Sequence, residues 1–284
     1  MTQQPDPQAV KQEQREQWAH AAAGWRKHDE RFRQVTAPVT RRLLELAGIS
    51  PGMRVLDIAS GTGEPALPAA EIVGPGGRVV LTDQSEEMLA VAREKAEARG
   101  LTNVEFRVVD GEELDAGDGE FDAVLCRWGI MFMPEPVRCL RQARAALKPG
   151  GRIAMAVWGP PERNPFFVLP MAVLMKYAEV PRPGPGEPGV FAFAERDRLA
   201  AVFTEAGFGG TMFDEMELPM AVFDSGNEFW QYLREMGPVA RHVAELSGEV
   251  QQKVGEEIAA ASGGGDPNGA VSLNGYTVLA SAVK

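Results

Sequence analysis

Met53-Arg-Val-Leu-Asp-Ile-Ala-Ser-Gly-Thr-Gly63 is a short apolar run that ends in a glycine turn, with an acid, Asp57, four residues ahead of Gly61. A second acid, Asp83, closes the next apolar run at 78–83, 20 residues beyond Gly63. One helix's length of chain lies between them. The segment therefore reads as a strand, a helix and a second parallel strand, whose glycine turn and distal carboxylate face one crevice. A crevice of this kind holds a nucleoside.

The pattern continues on both sides. Upstream, 8–25 and 38–47 have helical spacing, with Gly48 as a stop for the second stretch. Downstream, strands and helices alternate: strand 53–59, helix 64–73, strand 78–83, helix 85–99, strands 104–109 and 121–126, helix 135–147 and strand 151–158. That rhythm predicts a parallel sheet covered by helices on both faces. Pro51-Gly52, Pro75-Gly76-Gly77 and Pro149-Gly150-Gly151 supply the turns ahead of three strands. Ser85, followed by Glu86 and Glu87, suits a helix start by capping exposed amides and placing acids at the positive end of the dipole.

After Trp158 the rhythm breaks. The stretch 159–193 contains Pro160-Pro161 and Pro-Arg-Pro-Gly-Pro-Gly-Glu-Pro-Gly at 181–189, too proline-rich for regular structure. A helix at 195–207, a strand at 211–222, two helical segments within 225–261, a Gly-rich loop at 263–269 and a last strand at 276–283 follow. The reading is a single domain over 1–284, with N-terminal helices at 1–48, a nucleoside-binding core at 49–158, and insertions at 159–193 and 223–270. If strands five and six run parallel to the first, both insertions leave the sheet at its carboxyl edge and cap the crevice.

With 284 residues, 44% of them hydrophobic, the chain has ample material for a core. A formal net charge of −11 argues against a nucleic-acid partner, which is held by clustered Lys and Arg. Cys126 and Cys139 have no zinc-ligand spacing and read as buried thiols, and no other metal-ligand cluster stands out. The N-terminal stretch lacks a basic start followed by an apolar run, and the longest apolar run, 166–175, is too short to span a bilayer and contains Pro170. The expected location is the cytoplasm, with no membrane span and a small-molecule partner. The oligomeric state is not legible.

Gly61-Thr-Gly-Glu-Pro-Ala66 satisfies the dinucleotide fingerprint, and Asp83 stands where a ribose-binding acid is expected, so NAD is one candidate. Three neighbours favour S-adenosylmethionine. Asp57, at a strand end, would attract an ammonium and repel a pyrophosphate. Asp110-Gly111 closes the third strand, where a carboxylate accepts from an adenine amino group and a backbone amide faces the ring. Leu147-Lys-Pro-Gly-Gly151 leads into the fifth strand as a doubly wound sheet requires.

Taken together, 55–63, Leu81 to Ser85 with Met88-Leu89, Phe121-Asp122 and 147–151 resemble the class I S-adenosylmethionine-dependent methyltransferases, and most nearly the ubiquinone/menaquinone C-methyltransferase-like (methyltransferase type 11) group. The resemblance covers about 38–158. It implies a Rossmann-like doubly wound α/β sheet of seven strands with an antiparallel last strand, here with helical cap insertions after strands 5 and 6. It implies S-adenosylmethionine as cofactor, with Asp57, Ala59, Gly61 and Gly63 around its methionine part, Asp83 on the ribose, Gln84 and Met88 along the adenine, Asp110 and Gly111 at the adenine edge, and Arg127 beside the methionine. Ala59 departs from the glycine common in the family, but it is small enough for close approach.

Methyl transfer from a sulfonium needs an aligned nucleophile and excluded water more than elaborate machinery. His20, His28 and His242 are the candidate bases for a hydroxyl acceptor. Trp18 and Trp25, seven residues apart, share a helix face, and with Trp128, Phe167 and Trp230 they are the candidate acceptor contacts. The expected reaction is methylation of a carbon or oxygen of a small, largely apolar metabolite. The alternatives are a binder of the same cofactor without turnover, and an NAD-dependent oxidoreductase.

Overall fold

The computed structural model describes residues 6–180, 183, 184 and 186–284, so part of the proline-rich stretch at 181–189 lies outside the described residues. The elements run α1 (Pro7–Ala47), β1 (Arg54–Ile58), α2 (Ala66–Val73), β2 (Arg78–Asp83), α3 (Glu86–Ala98), β3 (Val104–Val108), β4 (Phe121–Arg127), α4 (Pro136–Ala146), β5 (Leu147–Trp158), α5 (Pro165–Leu174), α6 (Arg196–Glu205), β6 (Gly209–Phe223), α7 (Gly226–Leu233), α8 (Gly237–Ala244), α9 (Gly248–Ser262) and β7 (Val271–Val283).

Seven strands form one sheet in the order β3-β2-β1-β4-β5-β7-β6. The pairs from β3 to β5 are parallel, while β7 is antiparallel to both β5 and β6. This is the expected doubly wound sheet with an antiparallel last strand. Val55, Leu56, Val79, Val80, Leu81, Val124 and Leu125 are buried, because helices cover both faces of these central strands. The register sets Asp57 beside Leu81 and Asp83 beside Val108, so the carboxyl ends of β1, β2 and β3 open on one edge. Ser85 caps α3 as its sequence suggested, its hydroxyl accepting from the Met88 amide at 3.2 Å.

The structure departs from expectation at three helical regions. The two N-terminal helices are one continuous α1 of 41 residues with Pro38 in its interior. Pro38 has no amide to give the Gln34 carbonyl, but both residues face solvent, where water satisfies that carbonyl. The stretch 159–193 is not without regular structure, since Pro165 opens α5, which runs through Pro170. The two segments expected in 225–261 are three helices, α7 to α9, started at α7 and α9 by the hydroxyls of Ser225 and Ser247.

Because β5 and β6 are each antiparallel to β7, they are parallel to one another, and both insertions leave at the carboxyl edge. There α5 packs on α8 and α9, and α7 packs on α8 and α9. Phe229 of α7 is fully buried, 6.1 Å from the ring of Phe166 on α5, which gives the cap its own apolar centre. The first half of α1 crosses the same edge, so the crevice is roofed from two sides.

Candidate active site

The turn after β1 is built from left-handed backbone, with φ of 53° at Ala59, 52° at Gly61 and 99° at Gly63. Glycine takes this conformation freely; at Ala59 it carries strain. Hydrogen bonds to β2 hold the turn in place. The Ser60 amide donates to the Thr82 carbonyl at 2.9 Å, and the Gly61 amide donates to Asp83 Oδ2 at 2.9 Å. Asp83 Oδ1 accepts from the Ser85 amide at 2.9 Å. Burial raises the Asp83 carboxyl above its ordinary range while those amides pull it down. A carboxylate has about four acceptor positions, so Asp83 retains capacity toward the cavity that it lines.

At the end of β3, Asp110 Oδ1 accepts from the Glu112 amide at 2.9 Å, and its Oδ2 pairs with Lys11 Nζ of α1 at 2.7 Å. Lys11 also pairs with the fully buried Glu112 at 2.5 Å. Burial works against the Lys11 charge, but the two carboxylates outweigh it and hold the ammonium above its usual range. The start of α1 is thereby fastened over the β3 end.

At the end of β4, Arg127 Nη1 donates to the hydroxyls of Thr36 and Thr40, both at 3.0 Å. Burial lowers its affinity for the proton, against the fields of Glu64, Asp57 and Asp29. Its guanidinium lies 4.9 Å from the Trp128 ring centroid and 5.8 Å from that of Phe32. Trp128 sits at φ 57°, a second strained position. Two contacts lock it: its indole donates to Thr277 Oγ1 at 3.0 Å, and its ring stacks on Trp158 at 4.4 Å and 7°.

A chain of ring contacts runs along this side of the crevice. Trp18 meets Trp25 at 6.3 Å, Trp25 meets Phe32 at 4.8 Å, and Phe32 meets Trp128 at 5.9 Å. Beyond the Trp128 and Trp158 stack, Trp158 meets Phe167 at 4.9 Å. A single cavity joins the two regions. One end is polar, lined by Ala59 to Thr62, Glu64, Asp83, Gln84, Asp110 to Glu112 and Lys11. The other is lined by these rings and by Phe166, Val190, Tyr232, Leu233, Met236 and Val239.

Of the residues singled out in the sequence, Ala59, Gly61, Asp83, Gln84, Met88, Asp110, Gly111 and Arg127 all line this cavity, as do Trp18, Trp25, Trp128 and Phe167. The others do not. Asp57 is fully buried beneath the turn, its carboxylate making no well-formed hydrogen bond among the described residues and meeting the Ala66 amide only weakly. Burial pushes its carboxyl well above the usual range, with Arg127 opposing. Gly63 faces Leu67 of α2, which a Cβ would approach to 2.8 Å. Trp230 packs on Gly255 of α9 inside the cap, since an added Cβ there would lie 2.3 Å from its indole nitrogen.

The three histidines also lie off the cavity. His20 is exposed, and His28, edge-on to Tyr232 at 4.9 Å, has its Nε2 2.7 Å from Glu235 between α1 and the cap. His242 is half-buried on α8, and burial lowers its proton affinity. Both cysteines are buried free thiols, as expected.

Phe32, Glu64 and Lys11 are among the lining residues that escaped the sequence reading. Phe32 continues the seven-residue spacing of Trp18 and Trp25, a signal that was present. Glu64 directly follows Gly63, and its burial became visible only once Thr40 and Arg99 were placed around it. Nothing local marks Lys11. No group of acids, histidines and cysteines among the described residues is arranged to hold a metal.

Comparison with known proteins agrees with this geometry. A methyltransferase-domain family model matches residues 49–162. The ubiquinone/menaquinone biosynthesis C-methyltransferase UbiE of Pseudomonas entomophila (strain L48) is 32% identical over 186 residues, covering 62% of this chain and 73% of that protein. The enzyme of the same name from Ectopseudomonas mendocina (strain ymp) is 41% identical over 122 residues, 43% of this chain and 48% of that one. Among solved structures, phosphoethanolamine N-methyltransferase 2 of Haemonchus contortus in complex with S-adenosyl-L-methionine shares the fold at a TM-score of 0.54 and 19% identity, covering 89% of this chain and 56% of that one. The relationship to the UbiE enzymes excludes the oxidoreductase reading: the chain belongs to the class I S-adenosylmethionine-dependent methyltransferases.

Proposed function

We propose that this enzyme methylates a ring carbon of a small, uncharged, apolar acceptor, with S-adenosylmethionine in the polar end of the cavity and the acceptor in the aromatic end. The observation that carries this reading is the unbroken chain of rings from Trp18 to Phe167 opposite Asp83 and Asp110. Planar or prenylated compounds suit such a lining, which offers them dispersion contacts, with Arg127 as the charged group beside the rings. Carbon as the methylated atom follows the UbiE relatives, which are C-methyltransferases, with oxygen as the second choice.

The residues present fit the methyl donor. Asp83 keeps acceptor capacity for two ribose hydroxyls, Met88 and Gln84 extend beside it, and Asp110 and Gly111 bound the far side. The backbone of Ala59 and Gly61 and the Arg127 side chain suit the amino-acid end, while Asp57 contributes its field from beneath the turn. The cofactor, when bound, supplies a methyl carbon on a sulfonium leaving group. The chain's part is to orient the acceptor against that carbon and exclude water with α1 and the cap. With no histidine in the cavity, deprotonation of the acceptor falls to solvent or to the acceptor's own acidity.

No helix among the described residues is long and apolar enough to cross a membrane, and the net charge of −11 favours a metabolite over a nucleic acid. The test is incubation with methyl-labelled S-adenosylmethionine and, separately, a short-chain prenylated 1,4-naphthoquinol, a simple phenol and phosphoethanolamine. Label in a ring carbon of the naphthoquinol is expected. Label confined to phosphoethanolamine would overturn the reading.

A further inference from the structure

The aromatic end of the cavity contains one hydroxyl that the protein leaves unpaired. Tyr232 of α7 lines the cavity and is 5% exposed, yet among the described residues its hydroxyl makes no hydrogen bond. A buried tyrosine hydroxyl normally finds a partner, because leaving it without one forfeits the hydrogen bond it made to water.

Its ring is fixed, edge-on to His28 of α1 at 4.9 Å and beside Phe223 of β6 at 5.4 Å, so the hydroxyl cannot swing away to find a partner elsewhere. The neighbouring cap residues on this wall, Leu233, Met236 and Val239, carry no oxygen or nitrogen on their side chains. The Trp25 indole nitrogen is sealed within the protein. Burial raises the phenol above its ordinary proton affinity, against the opposing charge of Arg31 on α1, so Tyr232 remains an O–H donor throughout the physiological range.

We propose that Tyr232 is the residue that selects the acceptor, donating a hydrogen bond to an oxygen carried on the acceptor's ring and thereby fixing which ring carbon faces the methyl donor. The proposal rests on the reading of a ring-bearing acceptor and narrows it to oxygenated rings. An oxygen-free ring of the same size leaves the Tyr232 hydroxyl unpaired and is rejected, which is how one hydrogen bond gives discrimination that an apolar wall cannot.

The test is calorimetric titration of the full chain, saturated with S-adenosylhomocysteine, using 1-naphthol, 1-methoxynaphthalene and naphthalene as probes. The wild type is expected to bind 1-naphthol and 1-methoxynaphthalene about tenfold more tightly than naphthalene, the discrimination of one hydrogen bond. Tyr232→Phe keeps the ring contacts with His28 and Phe223; it should bind all three compounds equally, with affinities for naphthalene and S-adenosylhomocysteine unchanged. A variant that keeps the preference for the oxygenated rings overturns the role of Tyr232 while leaving the aromatic-acceptor reading intact. Wild type that binds all three equally does the same, without any need for the variant to fold. Wild type that binds none of them overturns both.

Discussion

Asp57 and Asp83 end adjacent strands, but their surroundings give them opposite characters. Asp83 holds the amides of Gly61 and Ser85; Asp57 is fully buried, with no more than a weak contact from the Ala66 amide among the described residues. Burial raises the folded-state affinity of Asp57 for its proton above the unfolded value of 3.8. Below that value both states are protonated and no penalty arises. Above it the unfolded chain ionises while the native carboxyl holds its proton, so stability falls until pH passes the folded-state value. Asp57→Asn is therefore expected to raise the melting temperature at pH 7, by the equivalent of about 1 to 3 kcal/mol, and to make no difference near pH 3; equal curves at pH 7 would refute this. Asp83→Ala should do the reverse. It removes the side-chain acceptors of two backbone amides, lowering the melting temperature, and it should weaken S-adenosylmethionine binding about 10- to 100-fold by calorimetry. The acid at each strand end was legible from the residue string alone. Which way Asp57 points was not, because a strand-end side chain turns toward the crevice or under the turn according to backbone angles that only the Ala59 conformation fixes.

At the scale of elements, α1 shows where local pattern gives way to tertiary packing. Pro38 signals a break, but the helix continues because its exposed face tolerates the lost hydrogen bond and its other face buries Val39, Leu43 and Leu44 against the sheet. α5 was hidden in the same manner, with prolines at its start and in its interior. By contrast, β2 ran over the residues expected because Gly76-Gly77 and Asp83 bracket an unbroken apolar run. The crossing of α1 over the cap depends on Gly24, where a Cβ would lie 1.9 Å from the Glu235 carbonyl oxygen. Alanine is the better helix former by about 1 kcal/mol, yet Gly24→Ala is expected to lower stability, by about 1 to 3 kcal/mol of steric displacement. Gly248→Ala, at a site with nothing within 4 Å, is the control and should be neutral or stabilising in the same thermal melts. If Gly24→Ala stabilised the protein, the close approach of α1 to the cap would be refuted.

Taken as a whole, the molecule joins a sheet whose plan was legible to a cap whose internal packing was not. The acids that end β1, β2 and β3 stand on one edge of the sheet, where a bound nucleoside meets each strand end. The cap has no such shared ligand to discipline its sequence, and its contacts, such as Trp230 on Gly255 and Phe166 near Phe229, pair residues far apart in the chain. Since the cavity lies between the sheet, α1 and the cap, a ligand bound there ties three parts together. S-adenosylhomocysteine at 100 times its dissociation constant is expected to add about 2.7 kcal/mol of stability. It should also slow proteolytic cleavage within α1; unchanged cleavage with raised thermal stability would separate α1 from the site.

The ring chain has one more consequence, an optical one. The protein has five tryptophans, and four of them, Trp18, Trp25, Trp128 and Trp158, line the cavity, while Trp230 lies inside the cap. Indole emission responds to the polarity around it and to rings brought into contact. An aromatic acceptor should therefore alter most of the intrinsic fluorescence on entering, and Trp230→Phe should raise the fraction that responds, because it removes the indole that lies off the cavity. The side chains that grip the acceptor thus double as a label-free reporter of its arrival.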